Sequence, residues 1–188
     1  MKQISDLVDI RSGYTFRTAI DSFPEGDTEV IQTSDLGFQF DFDRRPRVEF
    51  PGGDKHFLKK GDILVSARGL PKATLFKDDN LKAVASSSLF VLTPKYPYVN
   101  SEFIAMFFNS ELGMKAVFEL GSSGSIRSIT KENLGQIIVP EIPPDKERSL
   151  GRAVQTIDDE LAAMELKEIY LNDVREAIIN KILKENTK

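Results

Sequence analysis

The sequence predicts an α+β domain followed by one long α-helix, and three observations carry that reading. Short apolar runs broken by Gly, Pro and Ser fill the first 143 residues. The texture changes at Val139-Pro140-Glu141-Ile142-Pro143-Pro144, where paired prolines exclude helix interior and central strand and leave an extended hinge. Beyond it no Pro occurs and apolar residues recur at helical spacing. Strand-like and helix-like runs do not alternate strictly before the hinge, which favours α+β over a doubly wound sheet. The expected division is a globular part over 1–143 and a helical arm over 144–188.

Along the globular part, Ile63-Leu64-Val65, Ser88-Leu89-Phe90-Val91-Leu92 and Gln136-Ile137-Ile138-Val139 have strand length and β-branched or aromatic content. Pro51-Gly52-Gly53-Asp54 and Gly121-Ser122-Ser123-Gly124-Ser125 read as turns or loops. Ser101-Glu102-Phe103-Ile104-Ala105-Met106-Phe107-Phe108 reads as a helix capped by Ser101 or Asn100, with Phe103, Phe107 and Phe108 on one side. Phe38, Phe40, Phe42 and Phe50 alternate with polar residues as a half-buried strand would, so core packing is favoured for them over base contacts.

In the arm, apolar residues fall at Leu150, Val154, Ile157, Leu161, Met164, Leu171, Ile178 and Ile182, the spacing of a heptad seam. Leu150, Ile157, Met164, Leu171 and Ile178 form one unbroken row, while Glu168 and Arg175 interrupt its companion. A helix from Pro144 to Leu183 would be ~60 Å long at 1.5 Å per residue. So long an arm calls for a partner helix. An antiparallel coiled coil with a second copy would bring Glu168 and Arg175 of opposite chains together and set the register. The alternative is a long amphipathic helix packed on its own domain.

Composition narrows the function. The 188 residues contain no Cys and one His, which removes thiolate chemistry and leaves almost nothing for zinc. No apolar run approaches the ~20 residues of a membrane span, and the N-terminal segment lacks a signal-peptide core, so a soluble, cytoplasmic protein is expected. The net charge is −4, but its distribution is uneven. From Arg44 to Lys82 ten basic residues face five acidic ones. A local excess of positive charge fits nucleic acid as well as an ordinary solvated surface.

Tests for an active site fail. His56 beside Gly52-Gly53-Asp54-Lys55 reads as a surface residue, and Ser66, His56 and Asp62 make a triad only on paper. Pro144-Asp145 with Glu165-Leu166-Lys167 resembles a nuclease signature, but ~30 Å of one helix separates the carboxylates, which therefore cannot share a metal. No Asp/Asn-Pro-Pro-Tyr/Phe segment or glycine-rich turn holds S-adenosylmethionine. The Gly-Ser loop lacks a Gly-Lys-Ser/Thr ending; it is a flexible turn or, with Arg127 beside it, a phosphate contact. No catalysis, metal or cofactor is expected of this chain.

Several segments in order resemble the specificity (S) subunit of type I restriction-modification systems. Ile10-Arg11-Ser12-Gly13-Tyr14-Thr15-Phe16-Arg17 looks like the opening of a target recognition domain. Lys60-Gly61-Asp62-Ile63-Leu64-Val65-Ser66-Ala67-Arg68-Gly69 resembles the central Gly-Asp-Ile-Leu strand, and Ala85-Ser86-Ser87-Ser88-Leu89-Phe90-Val91-Leu92 the strand after it. The Gly-Ser loop with Ile126 and Ile129 follows, then Leu134-Gly135-Gln136-Ile137-Ile138-Val139-Pro140, and Ile142-Pro143-Pro144 leads into the helix. Two departures stand out. Glu147-Arg148 replaces the usual Glu-Gln after the prolines, and a single unit is present where complete S subunits resemble two in tandem. The chain thus looks like a half-subunit, or equally the excised half of a longer protein.

The resemblance implies a DNA-reading, non-catalytic subunit. A homodimer joined through the C-terminal helix would read two identical half-sites of double-stranded DNA. The helix would also dock the modification (methyltransferase) subunit and, through it, the restriction subunit. S-adenosylmethionine would be bound on that methyltransferase and not here. No motif carries over the reading residues, so the candidates rest on charge and polarity: Gln39, Arg44, Arg45, Arg47, Arg68 and Lys72, with Lys59 and Lys60 for phosphates and Arg17, Gln32 and Arg127 behind them. Two rivals remain: a dimerising regulatory module that binds methyltransferase or specificity subunits without reading DNA, and a small Mg²⁺-dependent nuclease.

Overall fold

A four-stranded sheet buried on both faces organises the globular part. The computed structural model describes residues 1–20, 25–36, 45–121 and 128–185. It divides into two units, Met1–Gly151 and Arg152–Lys188.

The central sheet has the order β2-β8-β5-β6, from β2 (Val8–Ser12), β5 (Ile63–Ser66), β6 (Ala73–Leu75) and β8 (Leu89–Pro94), all antiparallel. Side chains alternate across a strand, so an unbroken apolar run such as Ile63-Leu64-Val65 must fill two cores. It does. Ile63, Val65, Phe90 and Leu92 face one core and Leu64, Leu89 and Val91 the other. Burying each such side chain contributes ~1.5–3 kcal/mol.

Helices cover the first face. They are α1 (Ile4–Leu7), α2 (Ser101–Asn109), α3 (Glu111–Leu120) and α4 (Lys131–Gln136). Phe103, Phe107 and Phe108 of α2 are all buried, as their spacing predicts. The cap is Asn100, whose side chain accepts the Phe103 N–H, while the Ser101 hydroxyl donates to the Gly61 carbonyl. Helix α3 is invisible in the sequence because Gly113 interrupts its helical pattern. That glycine is needed: a Cβ there would lie 1.9 Å from the Phe107 carbonyl oxygen.

The second face is covered by a three-stranded sheet of order β4-β3-β7, from β3 (Thr28–Ile31), β4 (Arg47–Val48) and β7 (Ala83–Ala85). Strand β3 runs parallel to β7. A short pair, β1 (Lys2–Gln3) with β9 (Ile138–Val139), joins residues near opposite ends of the unit, Lys2 standing opposite Val139. The expected strand over 136–139 is therefore shorter, since Gln136 closes α4.

The architecture is α+β with a long C-terminal helix, α5 (Pro144–Glu185), of 42 residues. Gly151, its only glycine, approaches α2: a Cβ there would sit 3.5 Å from the Glu102 carboxylate.

Candidate nucleic-acid interface

The basic window does not form one patch, because β5 runs through its middle. Lys59 and Lys60 precede β5; Arg68 and Lys72 follow it in the turn to β6. The four residues of β5 span ~13 Å, and the two pairs stand at opposite ends of the strand.

At the first end, opposite charges take up the cations. Lys60 bonds Asp79 at 2.8 Å, and that carboxylate holds the ammonium above its ordinary range. Lys82 donates to Asp27, and this bond lowers the Asp27 carboxyl. Both pairs are solvent-exposed and contribute little to stability. Lys59 is exposed, and its backbone N–H donates to Asp62. Arg47 is exposed on β4, opposite Glu29 of β3.

Arg45 does not sit where a DNA-reading residue must. Its side chain is 1% exposed and ion-paired with Glu29 at 3.1 Å. The guanidinium is thus engaged inside the fold rather than presented at the surface. Gln39, Arg44 and Arg127 lie outside the described residues, as do Phe38, Phe40, Phe42, Ile126 and the Gly-Ser loop from Ser122 to Ser125.

At the second end the turn is tightly built. The Ser66 N–H donates to the Lys72 carbonyl at 2.9 Å. The Ser66 hydroxyl donates to the Leu70 carbonyl at 2.8 Å and accepts the Lys72 N–H at 2.9 Å, so one side chain ties both limbs. Gly69 supplies a φ of +77°, which L side chains rarely adopt. Beyond the turn, Ala73 points its backbone away from β5 toward Asn109, the last residue of α2. The Ala73 N–H donates to Asn109 Oδ1 and Asn109 Nδ2 to the Ala73 carbonyl, both at 2.8 Å. The tip exposes Arg68, Gly69, Leu70 and Lys72. No carboxylate among the described residues pairs with Arg68 or Lys72.

Asp62, from the Gly-Asp-Ile-Leu segment, is 2% exposed and fully used. It accepts from the Lys59 N–H at 2.9 Å and the Thr93 hydroxyl at 2.6 Å, with Arg11 at 3.7 Å. Arg11 in turn donates to the carbonyls of His56 and Phe57. Burial lowers the Arg11 guanidinium, and Asp62 opposes that shift. His56 packs edge-on against Tyr14, and its imidazole is held below its ordinary range by burial, then by Lys55 and Arg11. The paper triad is therefore dispersed: Ser66 braces a hairpin, Asp62 seats a backbone turn, and His56 joins an aromatic cluster with Tyr14 and Phe50. Among the described residues no group of three or more His, Asp or Glu is placed to hold a metal.

In the arm, the heptad row is open to solvent in the single chain. Leu150 is 43% exposed, Ile157 59%, Leu161 45%, Met164 63%, Leu171 54%, Ile178 54% and Ile182 53%, with Val154 half-buried. Arg175 approaches Glu176 at 3.5 Å, and Glu168 is exposed. A second apolar group lies outside the heptad positions: Leu166, Ile169 and Tyr170 are also exposed. At 100° per residue they fall on the side of the helix opposite the Met164 row. Counting only heptad positions hides them. No helix among the described residues is long and apolar enough to cross a membrane.

Comparison with known proteins accords with this geometry. Among the solved structures that the chain matches, three cover nearly its whole length. One is the type I restriction-modification system S subunit from M. genitalium, at 16% identity and TM-score 0.69, covering 99% of this chain and 46% of that one. The HsdS subunit from Thermoanaerobacter tengcongensis gives 20% identity, TM-score 0.57 and coverage of 96% and 43%. A chain from a study of complex assembly and conformational transition of the type I R-M system gives 20% identity, TM-score 0.62 and coverage of 96% and 44%. This chain spans less than half the length of each, and at these identities the likeness is one of fold. No curated protein matches it. The family described as type I restriction modification DNA specificity domain matches residues 1–183, and the chain belongs to that family.

Proposed function

We propose that this chain is a non-catalytic, sequence-specific DNA-reading subunit of a type I restriction-modification complex. It would dock the modification (methyltransferase) subunit, carrier of S-adenosylmethionine, and through it the restriction subunit. The observation that carries the reading is the β5–β6 turn: two exposed cations on a braced tip, unpaired by any described carboxylate, in a chain of net charge −4. Exposed lysines and arginines give affinity through phosphates, and arginine near base edges adds sequence information.

The arm supports the second half of the proposal. A helix with exposed apolar residues on two opposite sides can satisfy two neighbours. The Met164 row would pair antiparallel with the same row of a second copy, and Leu166, Ile169 and Tyr170 would face the modification subunit. Two copies would present two readers to two identical half-sites.

Fluorescence anisotropy with random-sequence duplex DNA tests the reading. Binding should weaken steeply with salt, and removing Arg68 or Lys72 should flatten the slope by about one per lost phosphate contact. Salt-independent or absent binding would leave the dimerising module that does not read DNA. For the arm, light scattering should give a dimer for the full chain and a monomer for the double variant I157D/M164D. Both residues are exposed in the single chain, so the variant should keep its fold.

A further inference from the structure

We propose that the turn between β5 and β6 is the element that enters the major groove, and that Leu70 at its tip recognises the C5-methyl group of a thymine. The inference rests on the DNA-reading function above and names a reader that no charge count selects. Leu70 is 66% exposed, while its neighbours Pro71 and Ala73 are buried. One exposed leucine by itself carries no meaning. Its setting does: it lies between the exposed cations Arg68 and Lys72, on a turn tied by side-chain bonds from Ser66 and Asn109.

Rigidity comes from outside the tip. Ser66 bonds both limbs, Asn109 holds the Ala73 backbone from α2, and Arg68 makes an antiparallel bridge to Ser128. None of these contacts uses the Leu70 side chain. The tip therefore holds its shape while leaving that side chain to meet a ligand.

Size and chemistry then select the groove and the group. Strand β5 is also paired with β8, so what the hairpin can offer is its turn. A turn carrying Arg68, Leu70 and Lys72 side by side suits the major groove, ~12 Å wide, better than the minor groove at ~6 Å. Inside the major groove base edges are polar except for the thymine methyl. A leucine flanked by cations is complementary to that one apolar spot between two phosphate rows. Arg68 and Lys72 supply affinity, and Leu70 supplies preference.

The experiment uses the full chain. A duplex site is selected from a random-sequence DNA library, and each thymine in one half of it is then replaced by deoxyuridine, which lacks only the methyl. At one position the exchange should weaken wild-type binding about fourfold, the effect of one methyl group withdrawn from an apolar contact. L70A should bind the thymine duplex about fourfold more weakly and be indifferent to the exchange, with its melting temperature and salt slope unchanged. If the wild type selects a site but no exchange weakens it, or L70A stays as sensitive as the wild type, the role of Leu70 is overturned and DNA reading stands. If the wild type selects nothing and shows no salt-dependent binding, both fall.

Discussion

Asn109 ends α2 by closing the exposed edge of another element, and replacing it probes the rigidity of the hairpin directly. Strand β6 is the edge of the central sheet. Its Ala73 turns both backbone groups outward, and the Asn109 side chain satisfies them with two bonds of 2.8 Å. In Asn109→Ala each lost bond costs about 1 kcal/mol net, and backbone groups at a residue only 4% exposed rehydrate poorly. The expected loss is about 2 to 4 kcal/mol, or roughly 5–15 °C in melting temperature for a domain of this size. Asn109→Asp sharpens the test. The carboxylate still accepts the Ala73 N–H but turns a second oxygen toward the Ala73 carbonyl. It should destabilise about as much as alanine at pH 7 and recover below pH ~4, where the protonated acid donates. Urea denaturation followed by circular dichroism gives the free energy, and hydrogen exchange at the Ala73 amide gives the local effect. A loss under about 0.5 kcal/mol for alanine, with Ala73 exchange unchanged, would refute the argument that this side chain holds the hairpin.

Other sites allow further checks. Gly13→Ala would set a Cβ 2.0 Å from the Ser86 carbonyl oxygen and force apart the backbone that Gly13 and Tyr14 share with Leu89 and Ala85; urea titration should show a loss of about 3 kcal/mol or more. Arg45→Ala leaves Glu29 without its buried partner and should cost about 3 kcal/mol by the same titration, whereas Arg68→Ala should leave stability intact and weaken DNA binding by anisotropy. His56 is held below its ordinary range, so below about pH 6.5 the unfolded chain takes up a proton that the folded chain resists. Stability should therefore fall as pH drops through that value, and thermal melts between pH 7.5 and 5 should show a weaker dependence in His56→Gln.

How much could be read without coordinates follows from what each element asks of its residues. Strands β5 and β8 are unbroken apolar runs because both sheet faces are buried, and such runs stand out. Helix α2 announces itself by Asn100 and three phenylalanines, and α5 by the prolines before it and the heptad after. Strand β7 does not, since Ala83-Val84-Ala85 is too short and too small to signal a parallel partner fifty residues away. Nor does α3, whose Gly113 serves the approach to α2. The charge window misled at Arg45, because a count of charges carries no record of Glu29 lying one strand away. Leu70 left no mark for the opposite reason: an apolar residue in a Gly-Leu-Pro turn looks like filler until its exposure and flanking cations are seen.

The pairing of β1 with β9 bears on the order in which the domain folds. Lys2 pairs with Val139 across most of the sequence of the unit. Closing a loop of that length costs on the order of 4 kcal/mol in chain entropy, and few local contacts repay it early. Ile4 is completely buried, in the same apolar cluster as Leu134, Ile137 and Val139. Residues such as Ile63 and Leu92 in that cluster are made earlier, so during synthesis the burial of Ile4 should be completed only when the segment through Val139 joins them. The two sheets can assemble around β5 and β8 well before then. The clasp beside α5 is consequently a late event, and chains that stall short of Val139 carry a sticky, unfinished seam.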